Sequence, residues 1–269
     1  METIRAKYPR TYHFHNSPNL QNDDRKLETY DGFYKYCPCS GYGNGWDECA
    51  YCSSAPQGRV PREVIATIKL DGENTTMYRD HIHARSLDSA HHESRTVVKQ
   101  IHGAIKHLIP DGMRVCGENM QACHSIYYTG LPAYFMIFNI WQGDICLSYE
   151  ETIMWVEEFK AQGIMCEHVP VFYRGPFNID SITDSYFRNF PGHEGFVVRD
   201  AESFSLLDFS THVGKFVRSG HVQTTEHWLN EQMIPNRLRI KNEAIRCWSR
   251  SDYFEGKTKD IGIRSNELQ

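Results

Sequence analysis

The chain has 269 residues, of which 40% are hydrophobic, 13% aromatic and 23% charged, with a formal net charge of −5. This is an ordinary soluble composition, long enough to bury a sizeable core in one large domain, or in one domain plus a small appendage. The acidic balance argues against a protein that coats nucleic acid by bulk charge; a binder of this composition needs a local basic patch. Met1 to Arg5 brings no apolar h-region and the most apolar run, Tyr134 to Trp141, is far too short to span a bilayer. A cytoplasmic protein with no membrane partner is the expectation.

In chain order, residues 1–29 are polar and irregular, with Pro9, Pro18 and Asp23-Asp24. Residues 36–62 are rich in Gly, Cys and Pro and read as a loop-rich insertion. Residues 64–87 read as two strands around a turn. The first is the apolar run Val64-Ile65-Ala66-Thr67-Ile68, which delivers Lys69 to the acidic-glycine turn Leu70-Asp71-Gly72-Glu73-Asn74. A lysine so placed is one of the few side chains able to act as a covalent nucleophile. The second strand lies near Ile82 to Ser86. Over 93–109, Val97, Val98, Ile101, Ile105, Leu108 and Ile109 recur at helical spacing and stop at Pro110-Asp111-Gly112. A strand follows at 113–118. Residues 134–149 read as a hairpin turning at Gly143-Asp144, and 150–162 as an amphipathic helix ended by Gly163. The last strands are 195–199 and 213–218. The tail from about 221, with Trp228, Leu229 and Met233 before Pro235, reads as helical. No internal repeat or low-complexity tract is present. Irregular alternation of strands and helices predicts an α+β fold with an antiparallel sheet.

Six short segments stand in an informative order: Lys69-Leu-Asp-Gly-Glu-Asn74, His83-Ala-Arg-Ser86, Gly117-Glu118, Phe135-Met-Ile-Phe-Asn-Ile140, Glu194-Gly-Phe-Val-Val198 and Gly214-Lys-Phe-Val-Arg218. A lone lysine-x-Asp-Gly is a weak signal; six motifs in order at plausible spacing are a strong one. Over roughly residues 7–230 the chain resembles the ATP-dependent RNA ligases of the covalent nucleotidyltransferase superfamily, close to their phage and bacterial nick-sealing branch. His221-Val-Gln-Thr224 with Glu226-His-Trp228 also resembles that branch. The resemblance implies a nucleotidyltransferase domain over 1–220, carrying the insertion at about 36–62, with antiparallel sheets flanking a nucleotide cleft. Residues 221–269 would form a small helical C-terminal region.

The resemblance also implies roles. Lys69 would attack the α-phosphate of ATP and carry AMP as a phosphoramidate. A free lysine is almost wholly protonated at neutral pH, so its pKa is expected to be depressed by burial or by nearby cations, with Lys215, Arg218 and a bound Mg²⁺ (or Mn²⁺) as sources. Asp71 and Gly72 would shape the turn at the nucleotide, with Glu73 pointing to solvent. Asn74 would bond ribose or phosphate, or else merely finish the turn. Arg85 would contact ribose or an incoming 5′-phosphate, its planar fork suiting either; a sheet-face ion pair is the alternative. Glu118 would take the ribose hydroxyls. Phe138 would stack on adenine, while Phe135, three residues away in the same strand, faces the opposite way into core. Glu194 would hold or orient the divalent cation, unless it is a structural ion pair. Lys215 would steady the α-phosphate during transfer.

Two departures stand out. Where the family commonly has Phe-Asp, this chain has Phe138-Asn139, which removes a negative charge and weakens any metal role there. In close relatives the last motif often has lysines two apart; here Lys215 and Arg218 are three apart, which puts them on opposite strand faces unless the strand bulges.

Of nine cysteines, Cys116, Cys123, Cys146, Cys166 and Cys247 are scattered and read as small buried hydrophobes. Cys37-Pro-Cys39 and Cys49-Ala-Tyr-Cys52 give C-x-C and C-x₂-C arms in a Gly-rich loop, which matches a tetrahedral structural Zn²⁺ site. Unliganded thiols or a disulfide are the alternatives. The histidines His81, His83, His91 and His92 fit no compact metal spacing and read as solvated loop residues.

The function expected is an ATP-dependent RNA ligase: adenylylation of Lys69, transfer of AMP to an RNA 5′-phosphate, and sealing to a 3′-hydroxyl, in a nicked duplex or a single-stranded break, by a monomer. One rival is an mRNA-capping guanylyltransferase, which would use GTP and generally a C-terminal barrel. The other is a catalytically idle module that binds RNA ends.

Overall fold

The computed structural model describes residues 5–37, 59–88, 91–221, 233–240 and 245–249. The elements, in chain order, begin with β1 (Tyr12–His13), β2 (Tyr34–Tyr36), β3 (Arg59–Pro61), β4 (Glu63–Lys69), β5 (Glu73–Met77), β6 (Ile82–Ala84), α1 (Thr96–Ile105) and β7 (Met113–Asn119). They continue with β8 (Ile126–Thr129), β9 (Phe135–Gln142), β10 (Ile145–Cys146), α2 (Tyr149–Ala161), β11 (Cys166–His168), β12 (Val171–Pro176) and α3 (Ile179–Asn189). The last are β13 (Gly195–Asp200), β14 (Phe204–Ser205), α4 (Phe209–His212), β15 (Val213–Val217) and β16 (Arg246–Ser249). The fold is mixed α+β, with mostly antiparallel sheets.

Two sheets organise it. One has the strand order β1-β15-β13-β4-β12, and the other runs β14-β10-β9-β7-β5-β6, with β11 added against β9. β1 joins β15, and β11 joins β9, in parallel; the remaining pairs in both sheets are antiparallel. β4 lies between β12 and β13, so Val64 to Ile68 is buried on both faces. This explains why it reads as a continuous apolar run rather than an alternation. β4 belongs to the first sheet and β5 to the second. Leu70-Asp71-Gly72 is therefore the crossing between sheets, with Lys69 at the end of one and Asn74 near the start of the other.

Each sheet is backed by its own core. Val98, Ile101 and Ile105 of α1, with Val156 and Phe159 of α2, cover Val115, Phe135 and Ile137 of the second sheet. Ile182 and Tyr186 of α3 pack with Phe14, Ile68, Phe196, Val198 and Phe216 around the first. Phe196 and Phe216 stack with centroids 4.9 Å apart. α2 begins in a capping box, in which the Ser148 hydroxyl accepts from Glu151 N and the Glu151 carboxylate accepts from Ser148 N. It ends at Gly163, whose φ of +78° suits glycine.

α1, α2, β7 and the β9–β10 hairpin match the sequence reading to within a few residues. The second half of the 64–87 segment divides into β5 and β6. Not anticipated is α3, although Asn178 caps it by accepting from Ser181 N, and Ile179, Ile182 and Tyr186 recur at helical spacing. The polar N-terminal segment is irregular but anchored: Phe14 and Leu27 are buried, and β1 pairs with β15. The tail departs from expectation. The sequence reading makes it helical; its described parts, 233–240 and 245–249, are not helical, and residues 222–232 lie outside the described residues. Asn236 is buried, its amide donating to Met120 O and Ala122 O and accepting from Tyr128 N, while β16 pairs with β8. Pro235 lacks the N–H a helix needs, and the backbone that follows finds partners on β8 and its flanking loop. The remainder of the tail, including Trp228 and Leu229, lies outside the described residues. So do Cys39, Cys49 and Cys52. Among the described residues no helix is long and apolar enough to cross a membrane.

Gly195 marks the tightest approach within the first sheet, since a Cβ there would stand 1.9 Å from Phe216 O. Gly195→Ala is expected to destabilise the protein by about 1–3 kcal/mol, the usual cost of overpacking, read as a lower denaturant midpoint at unchanged slope; an unaltered midpoint would contradict this packing.

Candidate active site

The crossing between the sheets floors a cavity of about 850 Å³. Lys69, Asn74, Arg85, Glu118, Phe138, Glu194 and Lys215 all line it, brought together from β4, β5, β7, β9 and β15, from the turn after β6 and from the residue just before β13. Lys69 Nζ lies 2.7 Å from Glu194 Oε2, and the glutamate is almost fully buried. β4 and β13 are neighbours with Lys69 paired to Gly195, which carries Glu194 to the same end of the sheet. Lys215 comes from β15, on the far side of β13, and its Nζ donates to Asp24 Oδ1 at 3.0 Å.

The electrostatics around Lys69 reverse the sequence expectation. Burial works to depress the ammonium, but Glu194, Glu118 and Asp71 together outweigh it and hold Lys69 above its ordinary value. The amine stands in a nest of carboxylates, not in a cation-rich cleft. Lys215 is the depressed lysine: burial lowers it, Lys69 adds to the effect, and Asp24 and Glu194 oppose it. Glu118 is pushed up to about 8 by burial, with Glu194 and Asp71 adding to the rise and Lys69 opposing it.

The turn is held by its own side chains. Burial would raise Asp71, yet it stays below the usual carboxylate range through His124, the Ser125 hydroxyl, His221 and Lys69. Its Oδ2 accepts from Ser125 N at 2.8 Å, Ser125 Oγ at 2.5 Å and Ile126 N at 2.8 Å. Gly72 is required by close approach: a Cβ would meet Asn119 O at 2.6 Å and Met120 Sδ at 2.7 Å. Its N–H donates to Glu118 Oε1 at 3.3 Å, tying the turn to β7. Glu73 does not point to solvent; it is paired with Arg95. Asn74 Oδ1 is buried with no hydrogen-bond partner among the described residues.

β9 bulges opposite the Cys116–Gly117 step: Cys116 pairs with Asn139 and Gly117 with Ile137. Phe138 is the extra residue and stands on the cavity wall, while Phe135 is fully buried in the core behind. Tyr8 meets the Phe138 ring edge-on at 5.1 Å. Asn139 is buried within a polar chain, donating to Tyr8 Oη at 2.5 Å and accepting from Arg199 at 2.7 Å. Arg218 stands apart. It follows the end of β15 and is absent from the cavity lining; its Nε donates to His193 O at 2.7 Å. The strand does not bulge, so alternation turns Arg218 away from the face that carries Lys215.

Four contributors were not read from the sequence. Tyr8, His13 and Asp24 come from the N-terminal segment, and His221 from just beyond the last motif. His13, pushed down to about 4 by burial and by Lys215, lies 3.1 Å from Asp24 through Nε2 and pairs Nδ1 with Ser17 Oγ at 2.8 Å. No sequence pattern marks Tyr8, His13 or Asp24, whose segment is brought here by the parallel pairing of β1 with β15, whereas His221 opens the His221-Val-Gln-Thr224 segment noted in the sequence without a site role. Of the sequence-level metal candidates, Glu194 lies with Asp71 and His221, their ligand atoms all within 4.8 Å of one another.

The raised Glu118 pKa has a signed consequence. The folded state holds that proton more tightly than the unfolded chain, so the contribution is present below the ordinary carboxylate pKa and lost as pH rises through about 8. Glu118→Gln is therefore expected to flatten the decline in stability between about pH 5 and pH 9. Parallel wild-type and variant unfolding profiles across that window would refute the assignment.

Residues 62–217 match the family model described as RNA ligase. No curated protein matches the chain. Among solved structures it is similar to an RNA ligase of Naegleria gruberi determined as a mutant with ATP and Mn, at 18% identity over 60% of this chain and 51% of that one, TM-score 0.42. The same ligase with PPi gives 19% identity over 60% and 50%, TM-score 0.42. The chain thus spans about half the length of these ligases. The family match covers more than half of the present chain and encloses Lys69, Glu118, Phe138, Glu194 and Lys215. The chain belongs to the RNA ligase family.

Proposed function

We propose that this protein is an ATP-dependent RNA ligase with a nucleotidyltransferase fold, of the nick-sealing type, in which Lys69 becomes covalently adenylylated. The observation that carries the proposal is the Lys69–Glu194 contact of 2.7 Å at the floor of a cavity whose wall presents Phe138 and whose far side presents Lys215. In the first step the neutral Lys69 amine forms a bond to the ATP α-phosphorus. The bond to the β-phosphate oxygen breaks, pyrophosphate leaves, and the amine loses its second proton. AMP then passes to an RNA 5′-phosphate, freeing the lysine. A 3′-hydroxyl displaces AMP and the phosphodiester is sealed.

The chain's residues divide this work. Phe138 offers its ring to adenine, and Glu118 and Asn74 offer polar groups to the ribose. Asp71 and Gly72 hold the turn that aims Lys69. Lys215, fixed by Asp24, steadies charge on the α-phosphate oxygens. Arg85, exposed at the rim, suits a 5′-phosphate. Arg218 supports the segment bearing Glu194 through its bond to His193 O and takes no direct part. The Lys69 ammonium must lose a proton that the carboxylates favour. Glu194 fits a role in holding Mg²⁺ or Mn²⁺, its Oε1 facing away from the lysine pair toward His221, and a cation there would supply positive charge that favours the neutral amine and offsets phosphate charge. The substrates proposed are RNA 5′-phosphate and 3′-hydroxyl ends, joined by a cytoplasmic monomer.

Incubation with α-labelled ATP and a divalent cation is expected to give label stable to denaturation, and Lys69→Ala should abolish it. Lys215→Ala should slow labelling on the order of 10²–10³-fold, the usual cost of removing a charge-stabilising donor. Label from GTP alone would favour a capping guanylyltransferase; no label from either nucleotide would favour a module that only binds RNA ends. End joining across nicked and single-stranded RNA and DNA would then assign the substrate.

The proposal keeps Cys37, Cys39, Cys49 and Cys52 as a structural zinc site for the 36–62 segment. Metal analysis of purified protein is expected to find about one equivalent of zinc, lost when Cys49 and Cys52 are replaced by Ser. Well under half an equivalent in careful preparations would remove the site.

A further inference from the structure

His221 lies three residues beyond the last motif, past the end of β15, and is 6% exposed. Its Nε2 has no hydrogen-bond partner among the described residues and stands 3.5 Å from Glu194 Oε1. Asp71 completes the group, with the three ligand atoms within 4.8 Å of one another. The two carboxylates are already partly committed on their other sides. Glu194 Oε2 faces Lys69 Nζ at 2.7 Å, and Asp71 Oδ2 accepts all three of its bonds from Ser125 and Ile126. Glu194 thus keeps Oε1 toward His221, and Asp71 keeps Oδ1 outside those three bonds. A buried imidazole nitrogen with no hydrogen-bond partner among the described residues, within 4.8 Å of an oxygen of each acid, is the donor set of a cation site with one nitrogen and two oxygen ligands.

We infer that Asp71, Glu194 and His221 form a divalent-cation site whose histidine nitrogen selects Mn²⁺ over Mg²⁺. This rests on the reading of Glu194 as a metal-holding residue and deepens it. Mg²⁺ takes hard oxygen ligands and keeps much of its water, whereas imidazole suits first-row transition ions. The nitrogen therefore adds affinity for Mn²⁺ that Mg²⁺ gains little from. Asn19 also anchors this position from the other side, its side-chain Nδ2 donating to His221 O at 2.9 Å and fixing the backbone that carries the imidazole.

The test uses the full chain without nucleotide and Mn²⁺ as the probe, because thiolates in the cysteine-rich segment compete poorly for that ion. Mn²⁺ binding is followed by electron paramagnetic resonance, with Mg²⁺ as competitor, and pulsed measurements report any ¹⁴N coupled to the bound ion. The wild-type chain is expected to bind Mn²⁺ with a ¹⁴N coupling and at least about tenfold preference over Mg²⁺. His221→Ala and His221→Gln should both lose the coupling and most of the preference, while Mg²⁺ affinity changes by less than about twofold. Metal-free thermal melts of both variants show whether each remains folded, and the wild-type coupling stands as a readout independent of either. Absence of Mn²⁺ binding, absence of ¹⁴N coupling in the wild type, or equal losses of Mn²⁺ and Mg²⁺ would overturn the inference. Labelling of Lys69 with ATP separates the two readings. An adduct without ¹⁴N coupling defeats the histidine site and leaves the ligase proposal standing; coupling in a chain that forms no adduct does the reverse.

Discussion

The Lys69 ammonium and the Glu194 carboxylate, 2.7 Å apart where two sheets meet, set the terms for the rest of this molecule. Burying either charge alone would be costly, and each offsets the other's desolvation only because the strands hold them in register. β4 and β13 must pair so that Lys69 meets Gly195, and Gly195 must lack a side chain for β13 to lie against β15. Gly72 must be small for the crossing to lie against β7. The site is thus a consequence of strand packing as much as of its own polar groups.

The same pair shapes the chemistry. With three carboxylates around it, Lys69 is held as a cation in the ligand-free protein, and Glu118 is pushed toward its neutral form by burial, to which Glu194 and Asp71 add. A nucleophile kept protonated until its counter-charge is drawn elsewhere is a protected nucleophile. Lys215 is arranged in the opposite sense, depressed by burial and anchored by Asp24. Two lysines in one cavity are thus set apart by surroundings rather than by type.

Asn139 illustrates how a departure from a family pattern finds its reason in three dimensions. The side chain must donate to Tyr8 and accept from Arg199 at once, and an amide does both. Tyr8 in turn meets the edge of Phe138, so the amide helps fix the aromatic wall of the cavity. The role is structural support for the cleft, where a carboxylate in that position would bring a charge.

The chain's own order of residues determined the strand that carries Lys69, the α1 and α2 helices, the hairpin at Gly143, and the set of side chains that now line one cavity. These are local matters: an apolar run, a helical period, a turn that needs glycine, and short motifs whose residue types suit phosphate chemistry. Alternation along a strand even separated Phe138 from Phe135 and Lys215 from Arg218. Tertiary structure alone decided the rest. Tyr8, His13 and Asp24 reach the site because β1 pairs with β15 some two hundred residues away, and His221 because it follows that strand. The surplus of negative charge around Lys69 was invisible for the same reason, since Glu118 and Glu194 come from separate sheets. The non-helical course of 233–240 likewise reflects partners offered by β8 and its flanking loop, not local propensity. Charge balance and backbone pairing between distant segments depend on distances that exist only after folding, and no window of sequence contains them.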